Sequence, residues 1–374
     1  MRRPWRSWRS SRPWRPWAAR SAGCRLAAAV LLVLAAAGSG PAGPGTVSAA
    51  PAPAAQGAAG RGAAASAAPS RFAPVPGPYA VEDMNLDWFD PDRNRAVPVR
   101  IYFPRHDPGP FPVVVFSSGL GAGRASLEFL GRHLASRGFI SVHVQHPGTD
   151  PQTFKTGGRE ALTKAARDPK TALTRLLDLV FALDQVGALA ATSPVLHGRV
   201  DLKAVAVGGS NIGAWTALSA AGLAFAGKDG EESSLPDPRV KAALLFGPPP
   251  VQGAQVGRLR FEHVKVPCLH FIDASGRGKD GGESDQQMAA RRVAFERIAG
   301  VDQVLVTVTA APDAAGGAPG DPGGRAALQG PLEAIAAAFL EANLRHDAAA
   351  RQWLTGGGLA AWLGDRFRVE VRGK

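Results

Sequence analysis

The chain has 374 residues and a formal net charge of +12. Residues 1–25 contain eight arginines and no acidic residue, which leaves 35 basic and 31 acidic side chains in the rest of the chain. Because the positive excess lies in this one segment, the composition does not support nucleic-acid binding, and no nucleic-acid partner is expected.

The basic start is followed by an apolar run, LAAAVLLVLAAA at residues 26–37, and then by small residues that end in Val47-Ser48-Ala49. A run of 12 residues is too short to span a bilayer comfortably. Small residues at positions −3 and −1 suit a signal peptidase, so the segment 1–49 is interpreted as an export signal. A retained anchor and a misassigned start codon are the alternatives. The interpretation predicts a periplasmic or extracellular protein with no stable membrane span after signal removal.

Residues 50–78 are mostly Ala, Pro, Gly and Ser, a composition that cannot bury enough apolar surface to fold. They are predicted to form a disordered linker, and residues 79–374 a single domain. Only Cys268 of the two cysteines lies in that domain, so it cannot contain an internal disulfide.

Short β-branched runs alternate with longer helical patterns through the domain, and several strands are apolar throughout, as in VVVF and KAALLF. Strands are predicted at Asn85–Phe89, Val97–Phe103, Pro112–Phe116, Phe139–Gln145, Leu202–Val207, Arg239–Phe246, Val266–Ile272 and Gln303–Thr309. Helices are predicted at Ala125–Ser136, Pro169–Val186, Ile212–Ala224, Gln286–Ile298 and Pro331–Arg345. Such alternation predicts an α/β protein with a mostly parallel central sheet of about eight strands and helices on both faces.

Residues 207–215, VGGSNIGAW, are typical of the sharp strand-to-helix turn that carries the nucleophile of serine hydrolases. Small residues are required two before and two after the apex of this turn. With Ser210 at the apex, one flank would be Ile212; with Asn211 at the apex, both flanks are glycines, Gly209 and Gly213. The second register fits without strain, and asparagine tolerates positive φ. Its amide, however, is a poor nucleophile.

The other catalytic groups of such a hydrolase follow in the order acid, then histidine. Asp280 and Asp273 are candidates for the acid. The sequence contains no histidine between His270 and His346. A serine without a base of near-neutral pKa remains an unactivated hydroxyl.

The oxyanion-binding part of the site is better retained. Gly119-Leu120-Gly121 follows a strand, and the backbone N–H groups of Leu120 and Ile212 could face an oxyanion. Glycines after a strand also form ordinary turns. His143 and His146 are three residues apart on a strand and should point to opposite faces, so no metal site is predicted. No cofactor is predicted either.

The chain resembles secreted α/β-hydrolases of the dienelactone hydrolase and platelet-activating-factor acetylhydrolase-like group. The resemblance covers the chain from about Pro78 onward and is carried by VPVRIY at 97–102, FSSGLG at 116–121, HVQHPGTD at 143–150 and VPCLH at 266–270. It implies an α/β-hydrolase fold derived from carboxylic-ester hydrolases.

The departures from the family pattern fall on its reactive residues. Ser118 stands where the family has a histidine in the oxyanion block, and Asn211 stands at its serine. The resemblance places Asp280 at the acid and Ala314 at the catalytic histidine. It also suggests that Ser118 and His146 line the pocket.

These observations favour an exported, catalytically impaired protein that binds a small-molecule or lipid-like ligand, or another protein. The alternative is an active ester or lipid hydrolase that uses Ser210, with His146 or His270 as a relocated base. A third possibility is different chemistry in the same pocket, with Asp280 or Asp313 as acid or base.

Overall fold

The computed structural model describes residues 71–227, 230–274, 284–309 and 327–373. The expected export signal and residues 50–70 of the expected linker lie outside this part of the chain. In the described ranges, no helix is both long enough and apolar enough to cross a membrane.

Nine strands form the central sheet, in the order β1-β2-β4-β3-β5-β8-β10-β11-β12. The strands of the structure are β1 Val81–Asp90, β2 Arg95–Pro104, β3 Phe111–Ser117, β4 Ile140–Val144, β5 Val200–Ser210, β6 Ala224–Ala226, β7 Glu232–Ser233, β8 Val240–Phe246, β9 Leu259–Arg260, β10 Cys268–Asp273, β11 Gln303–Val308 and β12 Phe367–Arg372. From β4 to β11 the neighbours are parallel, whereas β1, β2 and β12 pair antiparallel. The predicted fold class, an α/β protein with a mostly parallel sheet, is therefore confirmed.

The sequence prediction missed the ninth strand of this sheet, β12. Its sequence, FRVEVR, alternates charged and apolar side chains, and it pairs with only one neighbour at the edge of the sheet. It also missed a second, three-stranded sheet in the order β7-β6-β9. These strands have two or three residues each, too few for a periodic pattern to appear.

Helices cover both faces of the sheet. They are α1 Glu128–Ser136, α2 Pro151–Arg167, α3 Pro169–Thr192, α4 Ile212–Ala220, α5 Asp285–Arg297, α6 Gln329–Leu344, α7 Ala348–Thr355 and α8 Gly358–Leu363. Strand β3 shows how one strand serves both faces. Val113 and Val115 pack in one apolar cluster with α3 and α4, and Val114 and Phe116 pack in the other with α1 and α6.

Helix α2 was not predicted; its sequence is mostly polar and charged, and Leu162 is its one buried residue. Asp150 caps the helix by accepting a hydrogen bond from the Thr153 N–H at 3.1 Å. The helix is kinked at Gly158, which has a φ of 63°.

Ordered contacts begin before the expected domain start at residue 79. Phe72 is 4% exposed, and its ring lies 5.0 Å from that of Trp353. The N–H of Gly77 donates to Ser136 Oγ at 2.8 Å. Residues 71–78, which the composition assigns to the linker, therefore lie against the domain.

Candidate functional site

Asn211 is the only residue between the end of β5 and the start of α4. Its φ is 54° and its ψ is −128°, a conformation that non-glycine residues rarely adopt. The backbone holds it there: its N–H donates to Phe246 O at 2.9 Å, and its carbonyl accepts from the Ala214 N–H at 3.0 Å. Asn211, rather than Ser210, is at the apex of the turn.

Two glycines make this turn possible. A Cβ on Gly209 would lie 2.1 Å from Gly213 O, and a Cβ on Gly213 would lie 2.2 Å from Ser117 O. Neither contact could be relieved without moving backbone. The close approach of strand, helix and β3 explains why the sequence places glycines two before and two after Asn211.

The loop after β3 lies beside the apex. A Cβ on Gly119 would be 3.3 Å from Ser210 Oγ and 3.4 Å from Asn211 Cβ. In the described part of the chain, the N–H groups of Leu120 and Ile212 donate no hydrogen bond to the protein, and neither does the Asn211 carboxamide. Gly119, the residue before Leu120, therefore lies beside the apex, and Ile212 follows the apex directly.

Arg175, on α3, fixes this loop from behind. It is 2% exposed and donates through Nη2 to the carbonyl oxygen of Ser118. Through Nη1 it donates to Thr149 Oγ1 at 2.6 Å, and Thr149 O accepts from the Gly121 N–H at 2.8 Å. The backbone on both sides of Leu120 is therefore held by one buried guanidinium. Nothing in the sequence pattern singles out Arg175, which lies among the mostly apolar buried residues of α3.

A Ser–His–Asp arrangement does exist in the protein, but it lies in the core. Ser117 Oγ is 2.9 Å from His146 Nε2, and His146 Nδ1 is 3.0 Å from Asp178 Oδ2. Ser117 and His146 are 0% exposed, as is Asp178. Arg175 also donates to Ser117 Oγ at 3.1 Å, so the serine hydroxyl proton is directed to the imidazole. With every polar atom paired and no access for a substrate, the arrangement is structural.

Charge and burial set the protonation of this network. Burial, and then the charge of Arg175, lower the pKa of His146 to about 4. Burial opposes ionisation of Asp178, but hydrogen bonds from His146 and Arg95 outweigh it and lower its pKa to about 2. Burial lowers the pKa of Arg175 to about 9, so at neutral pH it remains a cation. His146, expected to line the pocket, is instead a neutral core residue between Ser117 and Asp178.

Ser118 is 4% exposed, and its Oγ has no hydrogen-bond partner among the residues that the structure describes. It follows Ser117 on the extended chain at the end of β3, so the two side chains point in opposite directions.

Asp280, Asp313 and Ala314, expected in the acid and histidine loops, lie outside the described residues. Asp273 ends β10, where it pairs with Val308 in the register of the sheet.

All eight histidines lie in the described part of the chain. Four are buried, namely His133, His143, His146 and His270, and four are exposed, namely His106, His197, His263 and His346. His270, a candidate base for Ser210, is 2% exposed and bound through Nε2 to Gln303 Oε1 at 3.0 Å. His346 follows α6. The adjacent Arg345 donates a hydrogen bond to Gly138 O, just before β4 begins, so His346 lies near the edge of the sheet where the parallel strands start. None of the eight histidines hydrogen-bonds with Ser210 or Asn211 in the described contacts.

Two adjoining apolar cavities lie between α3 and α4. The first begins at the turn and includes Ile212, Trp215 and Arg175 in its wall. The second is the more open of the two and has a volume of about 270 Å³. Four residues line both: Ala172, Ser219, Leu223 and Phe225.

Residues 93–154 match the family model of platelet-activating factor acetylhydrolase, isoform II. The match covers β2, β3, α1 and β4, and the loop that contains Leu120. Together with the sheet order, it decides the fold. The chain has an α/β-hydrolase fold. Its origin is among the esterase- and lipase-type members of that fold. The turn at Asn211 lies outside the matched segment, and no curated protein matches the chain.

His143 and His146 form hydrogen bonds with different residues. His143 is bound to Ser141 Oγ at 2.9 Å and to Ser126 O at 2.8 Å, so the two imidazoles do not face a common point where a metal ion could bind.

On the surface, ligand atoms of Glu232, Glu262 and His263 lie within 4.8 Å of one another. The sequence pattern does not reveal this cluster because Glu232 is far along the chain from the adjacent pair Glu262 and His263. Arg260 already pairs with Glu232 at 2.8 Å, which competes with any cation there.

Proposed function

We propose that this protein is an exported, non-catalytic member of the α/β-hydrolase fold that binds a ligand, or another protein, at the turn and groove around Asn211. The observation that carries the proposal is the presence of asparagine at the apex of the turn, with the backbone conformation of a nucleophile. A carboxamide nitrogen is a poor nucleophile, and no neighbouring base converts it into one.

The histidine inventory supports the same proposal. Acyl transfer by a serine hydrolase needs a base that reaches the hydroxyl and an acid that orients the base. Because all eight histidines are in described positions, the loops outside the described ranges contain none. His146 and His270 are both held in the core by hydrogen bonds, so neither is a base for Ser210 without loss of core structure.

The competing function is an ester or lipid hydrolase that uses Ser210. Ser210 is partly exposed and lies beside the loop that carries Leu120. This function would require a base other than histidine, such as a carboxylate from the loops that contain Asp280 and Asp313.

Fluorophosphonate labelling of the purified mature protein separates the two functions. Intact-mass analysis, beside an active α/β-hydrolase as control, is expected to find no adduct on this protein and a complete adduct on the control. An adduct at Ser210 that disappears in Ser210→Ala would establish an activated serine and overturn the proposal. A Thr163→Ala variant, changed at an exposed hydroxyl on α2, is the matched control for Ser210→Ala.

Export is a separate part of the proposal and has its own test. It is supported by the basic, apolar and small-residue segments of residues 1–49. Cell fractionation with N-terminal sequencing is expected to recover a processed chain outside the cytoplasm, beginning near residue 50. Recovery of the unprocessed chain in the cytoplasm would contradict it.

A further inference from the structure

The groove between α3 and α4 suggests which class of ligand the site accepts. It starts at Ile212, the residue after the apex, and continues into a cavity lined by Leu173, Leu176, Leu177 and Leu235. We propose that the turn and this groove bind a linear aliphatic carboxylate, with its charged end at Asn211 and its chain between α3 and α4. This inference rests on the non-catalytic role proposed above.

The donors at the turn suit a carboxylate. Leu120 follows Gly119, which lies beside the apex, and Ile212 follows the apex itself; the N–H groups of Leu120 and Ile212 have no partner in the described part of the chain. The N-terminus of α4 adds a favourable field for an anion. Behind the loop, the Arg175 guanidinium contacts Ser118, two residues before Leu120. A carboxylate oxygen would thus occupy the position that an oxyanion occupies in an active hydrolase.

The carboxamide of Asn211 adds a hydrogen-bond donor group, NH₂, that a serine at the same position would lack. A carboxylate has two oxygens, which accept hydrogen bonds and donate none. A carboxamide places an NH₂ donor at the apex, where it can serve the second oxygen, and its φ of 54° projects it from the turn. Replacement of serine by asparagine therefore turns a reactive position into a binding position for the acid that ester hydrolysis would release.

The second cavity has room for an aliphatic chain. Its volume is about 270 Å³. A methylene group takes up nearly as much space as a liquid water molecule, roughly 30 Å³. The cavity therefore has room for a chain of about ten carbons. Apart from Ser219 and a pair of serines at 233–234, the wall of this cavity is apolar.

The test is calorimetric titration of the mature protein with decanoate, kept below its micelle concentration. Decan-1-ol and butyrate are the comparison ligands, because the first lacks the charge and the second lacks the chain. Decanoate is expected to bind at least tenfold more tightly than either. Equal affinity for decanoate and decan-1-ol would overturn the carboxylate site, and equal affinity for decanoate and butyrate would overturn the groove.

Two variants locate the ligand. Ala172 lines both cavities on α3, so Ala172→Phe is expected to weaken decanoate binding at least tenfold. Ala188→Phe, at an exposed position of the same helix, is the matched control and should bind like the unchanged protein. Asn211→Ala is expected to weaken decanoate about tenfold while it leaves decan-1-ol binding within twofold. Decanoate binding that survives both Ala172→Phe and Asn211→Ala would place the ligand elsewhere and overturn the proposal.

The same samples separate this proposal from the one on which it rests. Absence of decanoate binding together with absence of a fluorophosphonate adduct would overturn the ligand class alone. An adduct at Ser210, or turnover of p-nitrophenyl decanoate that Ser210→Ala abolishes, would overturn the non-catalytic role and this inference with it, because the carboxylate would then be a product.

Discussion

Gly213 lies against the backbone of Ser117, so closely that a Cβ on Gly213 would be 2.2 Å from the Ser117 carbonyl oxygen. This contact joins the first turn of α4 to the end of β3. It fixes the distance between the apex of the turn and the loop that carries Leu120. The donors around Asn211 are therefore positioned by backbone contacts that do not depend on a catalytic serine.

Gly213→Ala should consequently lower stability. The added methyl meets main-chain atoms that cannot rotate away, and overpacking of this kind costs about 1–3 kcal/mol or more. Gly187→Ala, in the interior of α3, is the matched control: its methyl would meet Leu202 Cδ1 at an ordinary 3.5 Å. That change should be neutral or stabilise by up to about 1 kcal/mol, as alanine does in a helix. Urea unfolding measures both, and equal effects would contradict the close approach.

The register of this turn could be predicted from the sequence because sterics alone decide it. The residue two after the apex must be a glycine, as Gly213 is, and with Ser210 at the apex that residue would be Ile212. The central strands could be predicted as well, because each is a short apolar run. The Arg175 network could not be predicted in the same way. Arg175 and Asp178 lie on α3, whereas Ser117 ends β3 and His146 follows β4, and only the packing of α3 on the sheet shows that they share hydrogen bonds.

Predictions from local sequence patterns were wrong where the position of a residue depends on tertiary contacts. His146 sits in a motif that the family resemblance assigns to the pocket, yet both of its nitrogens are bonded inside the core. Helix α2 has almost no buried face, and β12 is a short strand at the sheet edge in which charged residues alternate with apolar ones that are only partly buried. Sequence separation likewise concealed that Phe72, in a region of low-complexity composition, packs on Trp353.

Arg175→Met should be strongly destabilising. It removes a buried cation that donates to Ser117, to the Ser118 carbonyl and to Thr149, and it leaves acceptors without partners. Breaking a buried charged network by removal of one member costs about 3–5 kcal/mol. Arg105→Met is the control, because Arg105 pairs with Glu82 at an exposed position and such pairs contribute about 0–1 kcal/mol. Similar unfolding free energies for the two variants would rule out the structural role of Arg175.

Stability should also fall in mild acid. Burial lowers the pKa of the four buried histidines, 133, 143, 146 and 270, to about 4. The unfolded chain protonates them near pH 6.5, so their contribution is complete above about pH 6.5 and is lost as pH falls toward 4. Burial raises the pKa of Glu333 to about 7, and its proton uptake in the folded state offsets about one of the four.

The net difference is about three protons, which gives a slope of up to about 4 kcal/mol per pH unit at its steepest. Urea unfolding between pH 7 and pH 4.5 measures it. His270→Gln should reduce the slope by about one proton, whereas His197→Gln, at an exposed position, should leave it unchanged. A free energy of unfolding that does not vary over this range would show that the buried histidines do not remain neutral in the folded protein.

Asn211→Ser tests whether the missing hydroxyl is the only defect of the site. A serine at the apex would have the conformation and the Leu120 and Ile212 donors of an active hydrolase, but no histidine lies within reach to remove its proton. Fluorophosphonate labelling and hydrolysis of p-nitrophenyl esters should therefore stay within about tenfold of the unchanged protein, because loss of one triad member removes most of the catalysis that the triad provides. Ser210→Ala in the same background excludes a contribution from the neighbouring hydroxyl. Rapid labelling of the new serine would instead reveal a base that is not a histidine, and the carboxylates of the loops around Asp280 and Asp313 would be the first to replace.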